Sequence, residues 1–445
     1  MALKQLTAVA ALNEAAGKVI EASVCEAQGT YLALVETEAG KRLAWAAQGE
    51  SARSKLWKDV EKEADVKDVH VAVMALNANN AALVRRLVKW AAPTACGTKG
   101  ASVGFSDWLG AADAVVTDLF AKRQLKPVLV DFTPEDSAAI GRNFLEAVDT
   151  ATWGVLEKGY KEGYGANAAG LKSEEEIVKA LLYGYSMIGF DCSDKIDLSI
   201  EKLSDEAVEK RFEQFNETFR AALHASYLNA EFKVGTNKIT FTENQLHRIV
   251  LEYGEAIMHV QFIYNSYLKN TPWDIDFELD LSKPGKVLTP QEHYLIGNEL
   301  QRNGIKLAAI CLDPLKDAEA LRENLQLHCE IADTFGYRLS FANADIAMTD
   351  TAAAMKYLKG KVHFKMNNIL WMSAVKLVQA LDADLFGKLC AVCGCEAVDG
   401  AVCGRMENGR ALALGYKKAL DVKVEGNVAE AMKAFLAAHH DEYAA

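Results

Sequence analysis

Proline is scarce in this chain, with seven residues in 445, and it nowhere gathers with glycine and serine into a linker or low-complexity tract. No repeat of solenoid length is visible either. Long apolar runs are also missing: none approaches the roughly 18 residues that a membrane-spanning helix needs. The N-terminal stretch is apolar, but Lys4, Glu14 and Lys18 interrupt it. It therefore predicts an N-terminal helix rather than a signal peptide. There is no basic excess, since Lys plus Arg is 49 against 61 for Asp plus Glu, a net charge of −12. That balance argues against a nucleic-acid partner or an anionic membrane, so an anionic substrate would need a locally basic pocket. Nine cysteines form an odd set without secretory context, which predicts reduced thiols and a cytoplasmic protein. Gly159, Gly163 and Gly165 surround Lys161 and Glu162 but lack the spacing of a dinucleotide or P-loop signature. They predict a tight backbone bend near an anion.

What is present is ordinary globular composition, half hydrophobic and a quarter charged. Residues 19–47 alternate between apolar and polar side chains around two turns and predict a short antiparallel meander. Beyond them, short apolar runs alternate with helix-period segments, the pattern of βα units. The runs are Val69–Leu76, Ala101–Phe105, Pro127–Phe132, Ser186–Phe190, Ile275–Leu279, Ile305–Leu312, Tyr337–Phe341 and Lys361–Met366. Eight is the number a closed parallel barrel requires. The chain reads as α/β: a (β/α)8 TIM-type barrel over residues 66–385, with a small N-terminal antiparallel β appendage over 1–65 and a C-terminal helical extension over 386–445. Extra helices between Phe190 and Ile275 form an insertion. An open doubly wound sheet is the alternative. Asn77, Asp107, Asp131, Asp191, Asp194, Asp280, Asp313, Asp345 and Asn367 stand at or just after the strand runs. In a barrel, all those ends meet at one mouth, where chemistry is kept. Caps and turns use the same residue types.

Two runs carry the strongest chemical signal. In Lys361–Asn367, period-two alternation puts His363, Lys365 and Asn367 on one face. Facing inward, a lysine there holds an anionic oxygen, acts as a base or sits in a structural ion pair. In 274–280, Asp274, Asp276, Glu278 and Asp280 share one face. Four carboxylates cannot all ionise in a closed interior, so solvent, a shared proton or a hard divalent cation must relieve them. Cys390, Cys393, Cys395 and Cys403 fit either a structural metal or a helix packed with small side chains. His247 and His259 lie twelve residues apart and make no ligand pair. Thr289 and Pro290 read as the N-cap and first residue of a helix that carries His293.

Ordered words over roughly residues 100–385 resemble the tagaturonate/fructuronate epimerase family. They are the segment 127–136 (PVLVDFTPED), the segment 146–154 (EAVDTATWG), the segment 159–165 (GYKEGYG), Ser193-Asp194, the segment 288–294 (LTPQEHY), the segment 336–340 (GYRLS) and His363-Phe364-Lys365. The resemblance implies a barrel, a divalent metal cofactor and inversion at C4 of a ketohexuronate. Because C4 is β to the ketone, enolisation alone cannot invert it, and retro-aldol cleavage with re-addition can. It implies Glu278, Asp149 and Lys365 as base, positioning group and oxyanion support. Lys195 stands where the family has His, and residues 341–345 (FANAD) replace its His-Ser-Gly-Ser-Asp word. The oxygen-rich set left for a harder ion is Asp194, Asp345 and His363, beside Glu278. The expected function is that of a divergent sugar-acid epimerase or isomerase, metal-assisted, acting on a small sugar acid or ketose. The alternatives are a catalytically impaired relative that binds a sugar acid, and a Schiff-base lyase using Lys365. Association into a homo-oligomer is compatible with a barrel, and no segment marks an interface.

Overall fold

The computed structural model describes residues 3–49, 56–105, 107, 113–121, 125–140, 142–281, 288–312, 318–342, 344, 356–357, 360–366, 379, 383–384 and 386–387. Six strands open the chain: β1 (Lys18–Val19), β2 (Cys25–Ala27), β3 (Thr30–Thr37), β4 (Gly40–Gln48), β5 (Val60–Val66) and β6 (Val69–Met74). They form one antiparallel sheet in the order β1-β3-β4-β6-β5, with β2 on β3. One face packs on the helix Gln5–Ala15 through Ala33, Val35, Ala44, Val71 and Val73. The other face carries Leu32, Leu34, Trp45, Ala72 and Met74 towards the helix Ala78–Leu87. Burial on both sides makes β6 read as a continuous apolar run. That is why its sequence mimics a parallel-barrel strand, and the assignment of Val69–Leu76 to the barrel is corrected here.

The barrel strands are β7 (Ser102–Phe105), β8 (Lys126–Phe132), β9 (Gly165–Leu171), β10 (Met187–Asp191), β13 (Asp276–Asp280), β14 (Ala309–Leu312), β15 (Arg338–Phe341) and β16 (Val362–Met366). They pair in parallel around the closed circuit β10-β13-β14-β15-β16-β7-β8-β9. The (β/α)8 barrel with its antiparallel appendage is therefore the observed architecture. The strand unseen in the sequence is β9, whose text Gly-Ala-Asn-Ala-Ala-Gly-Leu has no β-branched or aromatic residue to advertise it. Residues 192–275 are the insertion, and they include the hairpin of β11 (Phe232–Val234) and β12 (Asn237–Ile239).

Caps fix where the helices start. Asn143 with Glu146 and Thr289 with Glu292 each complete a capping box, and Pro290 takes the first helical turn as expected. Gly159 ends the helix Phe144–Lys158 at φ +59. A Cβ there would lie 2.3 Å from the Ala22 carbonyl oxygen. Its glycine thus serves a left-handed helix end and a close backbone approach. No helix among the described residues is long and apolar enough to cross a membrane.

Candidate active site

Barrel strands send alternate side chains inward, and the usual filling is branched aliphatic. Here the interior is polar. The layer nearer the N-terminal strand ends holds Asp276 of β13, Arg338 of β15, Ser102 of β7 and His363 of β16, all buried. Asp276 accepts backbone N–H bonds from Cys96 at 2.6 Å and Gly97 at 3.0 Å, which seats the segment before β7 against the barrel floor. Arg338 Nη2 lies 3.9 Å from Asp276 Oδ2, and its Nη1 donates to Ser102 Oγ at 2.8 Å. Ser102 Oγ is 2.9 Å from His363 Nδ1. The same hydroxyl accepts from Arg338, so it links the guanidinium to the imidazole. Burial, and then the charges of Arg338 and Lys365, push His363 well below the ordinary histidine range. The imidazole is neutral.

One layer towards the mouth, Lys365 Nζ donates to Glu278 Oε1, a charge-assisted bond between side chains 6% and 0% exposed. Burial favours the neutral amine, but Cys311, Glu278, Asp131 and Asp280 outweigh it and hold the ammonium well above its usual value. Asn167 Nδ2 donates to Asp131 Oδ1 at 2.9 Å. Burial raises the Asp131 carboxyl to about 6, with Lys365 pulling down and Glu278 pushing up. Two glycines make room for this layer. A Cβ on Gly104 would stand 2.5 Å from Asp131 Oδ2 and 3.1 Å from the His363 ring. One on Gly189 would meet Glu278 Oε1 at 3.3 Å and Asn167 Oδ1 at 3.4 Å. Glu278 Oε2, Asn167 Oδ1, His363 Nε2 and Ser340 Oγ are buried without a hydrogen-bond partner among the described residues. Such atoms mark a polar interior suited to a polyhydroxylated guest.

Of the residues expected from sequence, Glu278 and Lys365 meet directly and His363 lies beneath them. Asp149 does not join them: it sits on the helix Phe144–Lys158, where its carboxylate takes a bond from Arg85 Nη1 at 2.8 Å. Asp194 follows β10 in a 3-10 turn, its side chain 70% exposed and 3.2 Å from Lys172 Nζ. Lys195 reaches away to Glu255 at 2.8 Å. Asp345 and the cysteines Cys390, Cys393, Cys395 and Cys403 lie outside the described residues. Asn167, Arg338 and Ser102 were missed, and Asp131 had been marked only as a strand-end acid. The signal for Arg338 and Ser102 was the register of β15 and β7 with β16, which sequence alone does not supply.

Of the expected metal ligands, Asp194 is paired at the surface with Lys172, while His363 meets Ser102 through Nδ1 in the buried layer. The cation beside Glu278 is the lysine ammonium itself, which repels a second cation at that carboxylate. Asp194 at the surface and His363 in the buried layer are not brought together, and Asp345 lies outside the described residues.

The comparisons agree with the architecture. The family described as tagaturonate epimerase matches residues 20–401. A tagaturonate/fructuronate epimerase of Thermotoga maritima is 27% identical over 383 residues, covering 84% of this chain and 78% of that protein. The native crystal structure of a fructuronate-tagaturonate epimerase from Cohnella laeviribosi superposes with a TM-score of 0.78 at 24% identity, over 99% of this chain and 96% of that one. A glycerol complex of the same enzyme gives 0.77, over 96% and 94%. With a closed eight-stranded barrel in place and the family pattern spanning all but its two ends, the chain belongs to the tagaturonate epimerase family.

Proposed function

We propose that the protein is a sugar-acid epimerase that interconverts ketohexuronates at the C-terminal mouth of its barrel, with Lys365, Glu278 and Asp131 carrying the chemistry. The observation that carries this reading is the buried Lys365–Glu278 pair beside Asp131, inside a family barrel. Retro-aldol cleavage of the C3–C4 bond begins when a base takes the C4 hydroxyl proton, and it leaves an enediolate to be held. Lys365, fixed as an ammonium, stabilises that oxyanion in a dry site where a cation acts strongly. Asp131, raised to about 6, stands close to the working pH of a proton-transfer group. In its ionised form it accepts the hydroxyl proton, and it returns it after the aldehyde fragment presents its other face. Glu278 holds Lys365 charged and aimed. A locked ammonium also favours oxyanion support over imine formation, which needs the free amine.

The direct test is conversion of tagaturonate to fructuronate by the purified protein, followed by chromatography of the two ketohexuronates. If Asp131 is the base, kcat/KM rises with pH through about 6. Asp131→Asn is expected to lower kcat by about 10²–10⁴-fold and to erase that limb. Wild-type protein that equilibrates no ketohexuronate would overturn the assignment. An unchanged limb in Asp131→Asn would transfer the base role to another group.

A further inference from the structure

In the insertion, far along the chain from the residues assigned to the barrel chemistry, three helices bring imidazoles and carboxylates together. We infer that His224, His247 and Glu243 form a binding site for a borderline divalent cation of the zinc type, with Glu209 as its orienting carboxylate. His224 lies on the helix Glu217–Tyr227, His247 and Glu243 on the helix Glu243–Ile263, and Glu209 on the helix Asp205–Phe212. One donor atom from each of His224, Glu243 and His247 falls within 4.8 Å of the others. The two Nε2 atoms are 2.7 Å apart.

The second carboxylate decides the tautomer. Glu209 Oε2 lies 2.8 Å from His247 Nδ1 and accepts its proton in a hydrogen bond. That leaves the lone pair of His247 Nε2 facing His224. A carboxylate on the far nitrogen is how proteins orient and enrich metal-binding imidazoles. His247 is fully buried, and the Phe212 ring stacks on it at 3.6 Å between centroids and 13° between planes, so its direction is fixed. Without an ion, His224 donates its Nε2 proton into the His247 lone pair. When the proton moves to His224 Nδ1, both Nε2 atoms become donors, with no change in charge. Glu243, four residues before His247 on the same helix face, supplies the third ligand. Two nitrogens at zinc–nitrogen lengths in tetrahedral geometry stand roughly 3.3 Å apart, so the rings need part by only about half an ångström. Two histidines, one glutamate and a solvent position form a known zinc donor set. The ion would staple two helices of the insertion together, with the third joined through the Glu209–His247 bond.

The test uses the full-length protein, stripped with chelator and titrated with zinc chloride by calorimetry, and with cobalt chloride by visible absorption. One zinc equivalent is expected, with d–d bands of a tetrahedral cobalt site and a rise in Tm with zinc. His224→Gln and Glu243→Gln, both at solvent-accessible positions, should remove that equivalent and the bands. Glu209→Gln should weaken zinc binding about 10–100-fold. Wild-type protein that takes up no zinc, or a His224→Gln variant that keeps the same equivalent and spectrum, overturns the site. Neither readout uses the epimerase assay, so this inference and the proposed activity fail separately.

Discussion

Lys365→Met is expected to lower kcat for ketohexuronate epimerisation by about 10²–10³-fold, the usual loss when one donor to a developing oxyanion is removed. It is also expected to destabilise the fold by about 3–5 kcal/mol, because Glu278 would remain as a buried carboxylate without its cation. The two losses separate in the double variant Lys365→Met/Glu278→Gln. Removing both charges together should recover most of the stability, since apolar or neutral replacement of a whole buried pair is often tolerated. Activity should stay at the level of the single variant. Urea unfolding and initial rates on the same preparations measure the pair. If the double variant regained activity along with stability, Lys365 would be a packing element and its place in the chemistry would be lost.

The barrel was legible because its strand spacing is carried by apolar composition. Runs such as Pro127–Phe132 and Tyr337–Phe341 declare themselves against polar helices, and they are β8 and β15 within a residue or so. The two failures have opposite causes. β6 is buried on both faces by different clusters, so it imitates a parallel strand. In contrast, β9 is made of glycine, alanine, one asparagine and a final leucine and imitates a loop. Its weak text is tied to its function: Asn167 on β9 bonds Asp131, and small neighbours leave space for polar side chains. The site itself was half legible. His363, Lys365 and Glu278 showed through period-two alternation within their own strands, whereas Asp131, Asn167 and Arg338 become neighbours only through the order in which strands close the barrel. His247 shows the same limit. Compared with His259 on its own helix it makes no pair, and its true neighbour is His224, 23 residues away on another helix.

The floor of the barrel yields the other large effect. Arg338→Met is expected to cost about 3–5 kcal/mol, although Arg338 lies beneath the reacting layer. Its guanidinium is fully buried and is the cation facing Asp276 at 3.9 Å, and it also donates to Ser102. Without it, Asp276 keeps the backbone bonds from Cys96 and Gly97 and the more distant charge of Lys126 against the cost of a buried charge. Burial already raises the Asp276 carboxyl, and Arg338 is the largest influence opposing that rise. In the variant, Asp276 is therefore expected to take up a proton nearer neutral pH and to release its grip on the Cys96–Gly97 backbone. Two measurements follow. Unfolding in urea should show the loss of stability. Labelling with a thiol reagent, read by mass spectrometry at Cys96, should speed up at least several-fold relative to the buried Cys192 and Cys311. Adding Asp276→Asn should restore part of the stability by removing the stranded charge. A variant as stable as wild type, with Cys96 labelled no faster, would mean that the backbone bonds alone hold the floor, and that Arg338 acts only through Ser102 on the orientation of His363.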